Sequence, residues 1–261
     1  MTSPPARLPV RSVVVAVLAV AQVASSPLTM VLLGPESQTG QVSDDNASPV
    51  TPAGYAFAIW GLIYAACLAL AVYQLLPSQR HREVHRRTGW WLAGAFAAST
   101  VWVPIFGTGV IWASQLVILA LVGCLAMAAW RFTRIGAAPT RVEQWLLRVP
   151  TTLYLGWATL ASAAGFGATF RSFGMAERSV VATVASLGLV LAALVVSVVV
   201  VGRLAAVAGF AASACWALLA VAVATDSVLV RVAVLVATVL VLALLIARSA
   251  RSRRPGTVLL G

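Results

Sequence analysis

Charged residues, cysteine and histidine are all scarce in this sequence, and lysine is absent. Charged residues make up 10% of the 261 positions, against about 25% in an average soluble domain. Seven acids and two histidines leave a hydrolase or a metalloenzyme little to work with. The three cysteines lie inside apolar segments without C-x-x-C spacing, so the sequence indicates neither a disulfide framework nor a zinc site. These shortages exclude a soluble enzyme and a secreted disulfide scaffold.

Apolar residues and arginine are present in excess. Hydrophobic residues make up 61% of the chain, and the mean hydropathy is +0.96, as expected for an integral membrane protein. All 18 basic residues are arginine, and the formal net charge is +11. The arginines occur in short clusters between apolar segments and do not follow one helical face. This pattern favours topology signals over a nucleic-acid partner.

Long apolar segments predict the fold class. A helix crosses the hydrocarbon core with about 20 apolar residues, because all its backbone amides must be bonded within the segment. Eight segments meet this requirement, so we predict an all-α fold, a polytopic transmembrane helix bundle of about eight spans. The predicted spans are Val10–Leu33, Tyr55–Leu76, Gly89–Phe106, Val110–Trp130, Trp145–Gly167, Ser179–Val201, Leu204–Ala224 and Val228–Ala247.

The distribution of arginine predicts the orientation of the bundle. Cytoplasmic loops of membrane proteins carry an excess of basic residues. If the N-terminus is inside, fifteen of the eighteen arginines lie on the cytoplasmic side, and the outer loop over residues 34–52 has three acids and no base. We predict a multi-pass protein of the cell (inner) membrane with both termini in the cytoplasm. An alternative for the first span is a signal peptide cleaved after the small residues at 24–26.

Aromatic residues divide the chain into two unequal parts. Nineteen of the twenty-one aromatic residues lie between Tyr55 and Phe173, so we expect any specific site in the second to fifth spans. Tryptophans near the ends of membrane helices are typical interfacial anchors. Five of the nine tryptophans fit this interpretation, namely Trp90, Trp91, Trp112, Trp130 and Trp145.

Three deeper tryptophans lie on aromatic stripes at helical spacing. Each stripe occupies one face of one span, and all three are predicted in the outer half of the bilayer. The rings either pack helix against helix or line a pocket in which a ligand meets their polar groups. The stripes are Phe57, Trp60 and Tyr64, then Ser99, Trp102 and Phe106, then Pro150, Tyr154 and Trp157.

Segments 52–64, 99–106 and 150–158 together resemble a known family. They read PAGYAFAIWGLIY, STVWVPIF and PTTLYLGWA. They are similar to the second-, third- and fifth-helix motifs of the tryptophan-rich sensory protein, or translocator protein (TspO/MBR), family. The resemblance covers roughly the first 170 residues and marks a long, divergent member. Ser99 stands where the family has Asn, and Tyr154 where it has Trp.

The resemblance implies a five-helix bundle that binds a hydrophobic ligand under the first loop. In this family the ligand is typically a porphyrin or another tetrapyrrole, and in some members a sterol. We expect a TspO-like ligand-binding bundle over residues 1–170, three additional transmembrane helices over 171–247, and a basic cytoplasmic tail over 248–261. The ligand-binding residues expected by position are Phe57, Trp60, Tyr64, Ser99, Trp102, Phe106, Tyr154 and Trp157.

Charged clusters at the predicted inner surface have other interpretations. His81 and His85 share i, i+4 spacing, but the surrounding arginines oppose a metal cation. We therefore predict no metal site there, and a solvated loop in which Arg80–Arg87 contacts anionic lipid heads. We assign the same role to Arg248–Arg254.

Two arginines lie inside predicted spans, close to their ends. We expect Arg148 and Arg231 to extend their side chains to the membrane surface. Glu143 has two candidate partners, Arg141 and Arg148, and the sequence does not choose between them.

Two functions remain open. The favoured one is a sensor or carrier that binds a tetrapyrrole-like ligand, without catalysis and without a cofactor of its own beyond that ligand. The alternative is a secondary transporter of a small hydrophobic or amphipathic solute, although no charged or Asn residue marks the middle of a span. The expected partners are the lipid bilayer, a hydrophobic small molecule and, in a homodimer, a second copy of the chain, but no nucleic acid.

Overall fold

The computed structural model describes residues 9–261, which are helical along most of their length and contain no strand. A 3-10 helix, Gly54–Ala58, leads into α3, and a π-helical turn, Gln144–Arg148, leads into α7. The α-helices are α1 Val10–Leu33, α2 Thr39–Asp45, α3 Ile59–Leu75, α4 Glu83–Gly107, α5 Ile111–Ile135, α6 Arg141–Glu143, α7 Val149–Ser172, α8 Val180–Arg203, α9 Ala208–Ala224, α10 Val228–Arg251 and α11 Pro255–Leu259.

The predicted helical bundle is confirmed, because each predicted span contains one long helix. Six of these helices are long and apolar enough to cross a membrane. The others are α7 and α9, which pack against each other. Helix α9 has 17 residues, or about 25 Å at 1.5 Å per residue. Helix α7 has 24 residues and more polar side chains, which it can hold because other helices surround it on several sides.

Helices α7 and α9 approach closely through glycine. A Cβ atom at Gly156 of α7 would lie 3.0 Å from the Cα atom of Phe210, and one at Gly209 of α9 would lie 2.8 Å from the amide nitrogen of Leu153. Small residues allow such contact between backbones, a common basis of helix association in membranes. Helix α9 thus joins the bundle that carries the aromatic stripes. The division into parts ending at residues 170 and 247 stays a prediction.

The connections lie at two ends of the bundle. At one, the loop end, are residues 34–58, 108–110, 173–179 and 225–227. At the other, the arginine end, are residues 76–82, 136–148, 204–207 and 252–261. Which end faces the cytoplasm stays a prediction.

The C-terminal segment folds back onto the arginine end. Helix α10 continues to Arg251, and α11 follows after a short turn. The amide of Val207 donates to the carbonyl of Val258 at 3.1 Å, and the amide of Ala138 donates to the carbonyl of Gly261 at 3.0 Å. Residues 255–261 therefore close over the connection before α7 and the connection after α8, whereas the sequence alone suggested a basic tail.

Candidate ligand-binding site

Trp60 is the centre of an aromatic cluster near the loop end. Its ring lies 5.6 Å from that of Trp102, in a stacked arrangement, and 5.4 Å from that of Tyr64. The edges of two α7 rings complete its surroundings, Tyr154 at 5.8 Å and Trp157 at 6.0 Å. Three helices that are distant in sequence thus meet on one indole.

The remaining predicted residues extend this cluster in two directions. Phe57 contacts Trp157 edge to face at 6.0 Å, and Phe106 stacks on Trp102 at 5.1 Å. Ser99 lies 3.5 Å from the Tyr64 hydroxyl, measured between the two oxygens. The structure therefore brings all eight predicted site residues together, and their role in ligand binding stays a prediction.

Several polar atoms of the cluster lack a hydrogen-bond partner. Among the described residues, none bonds the indole nitrogens of Trp60 and Trp157 or the hydroxyl of Tyr154. A buried polar group without a partner is destabilising by roughly 1–3 kcal/mol. Three such groups around one cluster indicate a place where a ligand or water supplies the missing bonds.

The cavity beside the rings is small. It measures about 60 Å³, borders Trp60, Trp102, Phe106 and Trp157, and extends past Gln115 of α5 to residues of α8, α9 and α10. A water molecule takes up about 30 Å³ in the liquid, and ligand pockets typically measure about 300–1,000 Å³. The cavity is therefore far smaller than a ligand pocket, and a tetrapyrrole does not fit between α3 and α7 in this structure.

A larger space also borders Trp60, next to α1 and the first loop. We call it the groove; it measures about 370 Å³ and runs between α1, the first loop and the cluster. Its aromatic wall is formed by Phe57, Trp60, Tyr64 and Trp102, four of the predicted site residues. The other residues that line it are Ser26, Pro27, Met30, Gln38, Thr39, Gly40 and Val103.

Close packing on glycine holds the first loop over the cluster. Gly167 of α7 lies directly against the Ser48 side chain, and Gly107 of α4 lies against Ser37, so a Cβ atom at Gly107 would be 3.2 Å from the Ser37 carbonyl oxygen. The amide of Ala53 also donates to the carbonyl of Ala220 in α9 at 3.1 Å. The loop therefore forms a fixed wall of the groove.

Trp216 of α9 is a supporting residue that the sequence analysis missed. Its indole nitrogen donates to the carbonyl of Ala56 at 3.1 Å, and its ring meets Tyr55 edge to face at 5.5 Å. These contacts fix the 3-10 turn that carries Phe57. In the sequence, Trp216 is an isolated tryptophan among small apolar residues. That pattern does not reveal which residue it contacts.

At the arginine end, the expectation for Arg148 is wrong. Its side chain is fully buried and pairs with Glu143 at 2.7 Å, while it also donates to the carbonyl of Gly136 at 2.6 Å. The second carboxylate oxygen of Glu143 lies 2.6 Å from Arg82. Because Glu143 neutralises the guanidinium of Arg148 inside the protein, this side chain does not extend to the membrane surface. Arg231 is exposed near the loop end and donates to the carbonyls of Ala222 and Thr225, as its position near a span end allows.

The expected solvated loop over residues 80–87 is also wrong in part. His85 is 1% exposed, lies on α4, and meets the ring of Tyr73 edge to face at 5.7 Å. Arg82 forms an ion pair with Glu143, and Arg87 forms one with Glu83. The segment begins a helix instead of forming a loop, so one of its faces packs inward.

Arg248 has a role within the fold. It donates to the carbonyls of Val201 and Leu204, where α8 ends. Arg251, Arg253 and Arg254 are exposed beside it, so the lipid-binding prediction for this cluster now rests on them.

Comparison with known proteins identifies the family. The sequence profile of the TSPO-like protein family matches residues 12–247, beyond the 170 residues that the motifs cover. No curated protein and no solved structure matches the chain. The profile covers well over half of the sequence and agrees with the three aromatic motifs on α3, α4 and α7. The chain therefore belongs to the TSPO-like protein family.

Proposed function

We propose that this protein binds a flat hydrophobic ligand of the tetrapyrrole class in the groove, as a sensor or carrier. The main observation in support is that one wall of the groove, a space of ligand size, is lined by Phe57, Trp60, Tyr64 and Trp102. Flat aromatic ligands stack on indole and phenol rings, and such clefts bury most of a ligand's surface.

Polar groups at the rim of the groove support an amphipathic ligand. The hydroxyls of Ser26 and Thr39 and the amide of Gln38 line the space opposite the rings. A ligand with a flat apolar body and polar substituents finds stacking on one side and hydrogen-bond partners on the other. The ring side chains and hydroxyls suit binding, so we propose no chemical turnover.

The test is a titration of the purified protein with protoporphyrin, followed by the absorbance of the bound porphyrin. Replacing Trp60 by Leu removes the central stacking surface and should weaken binding by about tenfold or more, as for a central aromatic contact. Trp112→Leu is the matched control, because Trp112 is exposed and outside the groove.

Trp157→Leu distinguishes the groove from the enclosed cavity. Trp157 lines the small cavity but not the groove. Binding in the groove predicts that Trp157→Leu keeps most of its affinity, whereas binding between α3 and α7 predicts a loss equal to that of Trp60→Leu. Equal affinities for the Trp60 and Trp112 variants would contradict the proposed site.

A secondary transporter of a small hydrophobic or amphipathic solute is the second candidate. The observation that favours it is a pair of fully buried amides, Gln22 midway along α1 and Gln74 at the arginine end of α3. Uptake of porphyrin into proteoliposomes that depends on an imposed ion gradient would favour transport over sensing.

A further inference from the structure

A second space of ligand size lies at the loop end, beside α8 and α10. We call it the crevice; it measures about 650 Å³ and is bordered by side chains from residues 44–54, 177–187 and 224–229. Ligand pockets typically measure about 300–1,000 Å³. None of the described residues lines both the crevice and the groove, so the crevice is not part of the proposed porphyrin site.

One wall of the crevice is apolar and follows a membrane span. Val180, Val184 and Leu187 line it at i, i+4 and i+7 spacing, so they form one face of α8 at its beginning. Val180 and Leu187 are seven residues apart, which corresponds to about 10 Å along the helix. Val228 and Leu229, both exposed, add to this wall from the first turn of α10. The wall therefore suits an apolar chain that lies parallel to α8.

The polar lining of the crevice has an excess of negative charge. Asp44, Glu177 and Asp226 line it together with one cation, Arg178. Asp226 pairs with Arg178 at 2.9 Å, which joins the connection before α8 to the connection before α10. Within the described part of the chain, no cation lies at ion-pair distance from Asp44 or Glu177. Two carboxylates without a counter-ion favour a ligand that carries a positive charge.

The beginnings of α8 and α10 favour an anionic group beside that positive charge. The first amides of a helix have no partner within the helix, and this end carries a partial positive charge. Ser179 accepts a hydrogen bond from the third amide of α8, and Ser227 accepts one from the third amide of α10. The first two amides of each helix have no partner among the described residues. Both first turns line the crevice, and helix beginnings of this kind bind phosphate groups.

We propose that the crevice binds one phospholipid with a primary ammonium headgroup, of the phosphatidylethanolamine class. The acyl chains follow the apolar wall along α8, and the phosphate lies beside the beginnings of α8 and α10. The ammonium group donates hydrogen bonds to the carboxylates of Asp44 and Glu177. A lipid is favoured over a soluble cation because the apolar wall continues into the membrane-spanning length of α8.

Native mass spectrometry of the purified, delipidated protein tests the headgroup. The protein is mixed with equal concentrations of dioleoyl phosphatidylethanolamine and dioleoyl phosphatidylcholine, which have the same acyl chains and the same net charge. The quaternary ammonium of phosphatidylcholine has no N–H group, so it cannot donate a hydrogen bond. We expect the first bound lipid to be phosphatidylethanolamine with a preference of roughly fivefold, the upper range for a solvent-accessible ion pair. Equal binding of the two lipids would overturn the proposal.

Two double variants remove the same number of carboxylates at different places. Asp44→Asn with Glu177→Gln neutralises the two unpaired carboxylates of the crevice, so the preference for phosphatidylethanolamine should disappear. Asp45→Asn with Glu36→Gln is the matched control, because both acids are exposed at the same end of the bundle but do not line the crevice. A preference that survives in the first variant, or is lost equally in both, would contradict the assigned site.

A larger side chain in the apolar wall tests the space for the acyl chains. Val184→Phe fills the crevice beside α8, whereas Val181→Phe changes an equally exposed residue of α8 that does not line it. The first should lower the binding of both lipids, and the second should bind them like the wild type. Glycerophosphoethanolamine, the headgroup without acyl chains, should not displace the bound lipid. Displacement by this compound, or unchanged lipid binding in Val184→Phe, would exclude a lipid as the occupant.

Discussion

Glu143 and Arg148 form an ion pair with a nitrogen–oxygen distance of 2.7 Å, and neither side chain is exposed. The pair lies where the π-helical turn joins α6 to α7. Arg148 also lies over the ring of Phe132, with its guanidinium carbon 5.4 Å from the ring centroid. One buried carboxylate thus links α4, through Arg82, to the beginning of α7.

Removing the carboxylate charge should strongly destabilise the protein. Glu143→Gln leaves the buried Arg148 without its counter-ion, and breaking such a pair typically costs about 3–5 kcal/mol. The matched control is Asp226→Asn, because Asp226 pairs with Arg178 while both side chains are largely exposed. Exposed pairs contribute about 0–1 kcal/mol. Thermal unfolding in detergent measures both, and equal losses would contradict the role of burial.

A methyl group at the α7–α9 contact should also be destabilising. Gly156→Ala places a Cβ atom against the backbone of Phe210, so the two helices must move apart. Gly188→Ala on α8 meets no atom within 4 Å and should be neutral or stabilising by up to about 1 kcal/mol, because alanine favours the helix. The unfolding temperature should therefore fall in Gly156→Ala and stay unchanged or rise in Gly188→Ala. A Gly156 variant as stable as the wild type would argue against the close contact.

Arg248 should contribute to stability through the end of α8. Arg248→Gln removes charged hydrogen bonds to the carbonyls of Val201 and Leu204, each worth about 1.5–3 kcal/mol. Arg251 is exposed, so Arg251→Gln should leave the unfolding temperature almost unchanged. The expectation fails if both substitutions have the same effect.

The exposed arginines at the end of α10 should bind anionic lipids. Each basic residue near an anionic membrane surface contributes about 1 kcal/mol of attraction. Replacing Arg251, Arg253 and Arg254 by Gln should lower the amount of anionic lipid that copurifies with the protein, measured by native mass spectrometry. Replacing Arg171 and Arg178 at the loop end is the control. Unchanged lipid content in the first variant would contradict the prediction.

Local periodicity explains why the helices and the aromatic cluster were predictable. Trp60, Trp102 and Trp157 lie on stripes whose spacing repeats with the helical turn, so each helix had to present its rings on one face. The three faces then met around Trp60, as the family motifs imply. Spacing within one helix does not determine the distance between helices, so the sequence did not reveal that the cavity beside the rings measures only about 60 Å³.

Burial of polar residues was less predictable, because it depends on neighbours far away in the sequence. His85 lies among arginines that suggest solvent, yet it packs on Tyr73. Gln22 is completely buried on α1, and its sequence neighbours alone do not show which helices cover it. Trp216 is close to the site only because α9 packs against α7.

The sequence by itself determined that this chain is an arginine-rich bundle of membrane helices with aromatic faces on three of them, because length, hydropathy and helical spacing are local properties. Only the tertiary structure decided which charge neutralises Arg148, where beside Trp60 there is room for a ligand, and which polar side chains are buried inside the bundle. These relationships depend on contacts between helices. The apolar environment of the bilayer is nearly uniform along each span, so it does not specify which side chains meet.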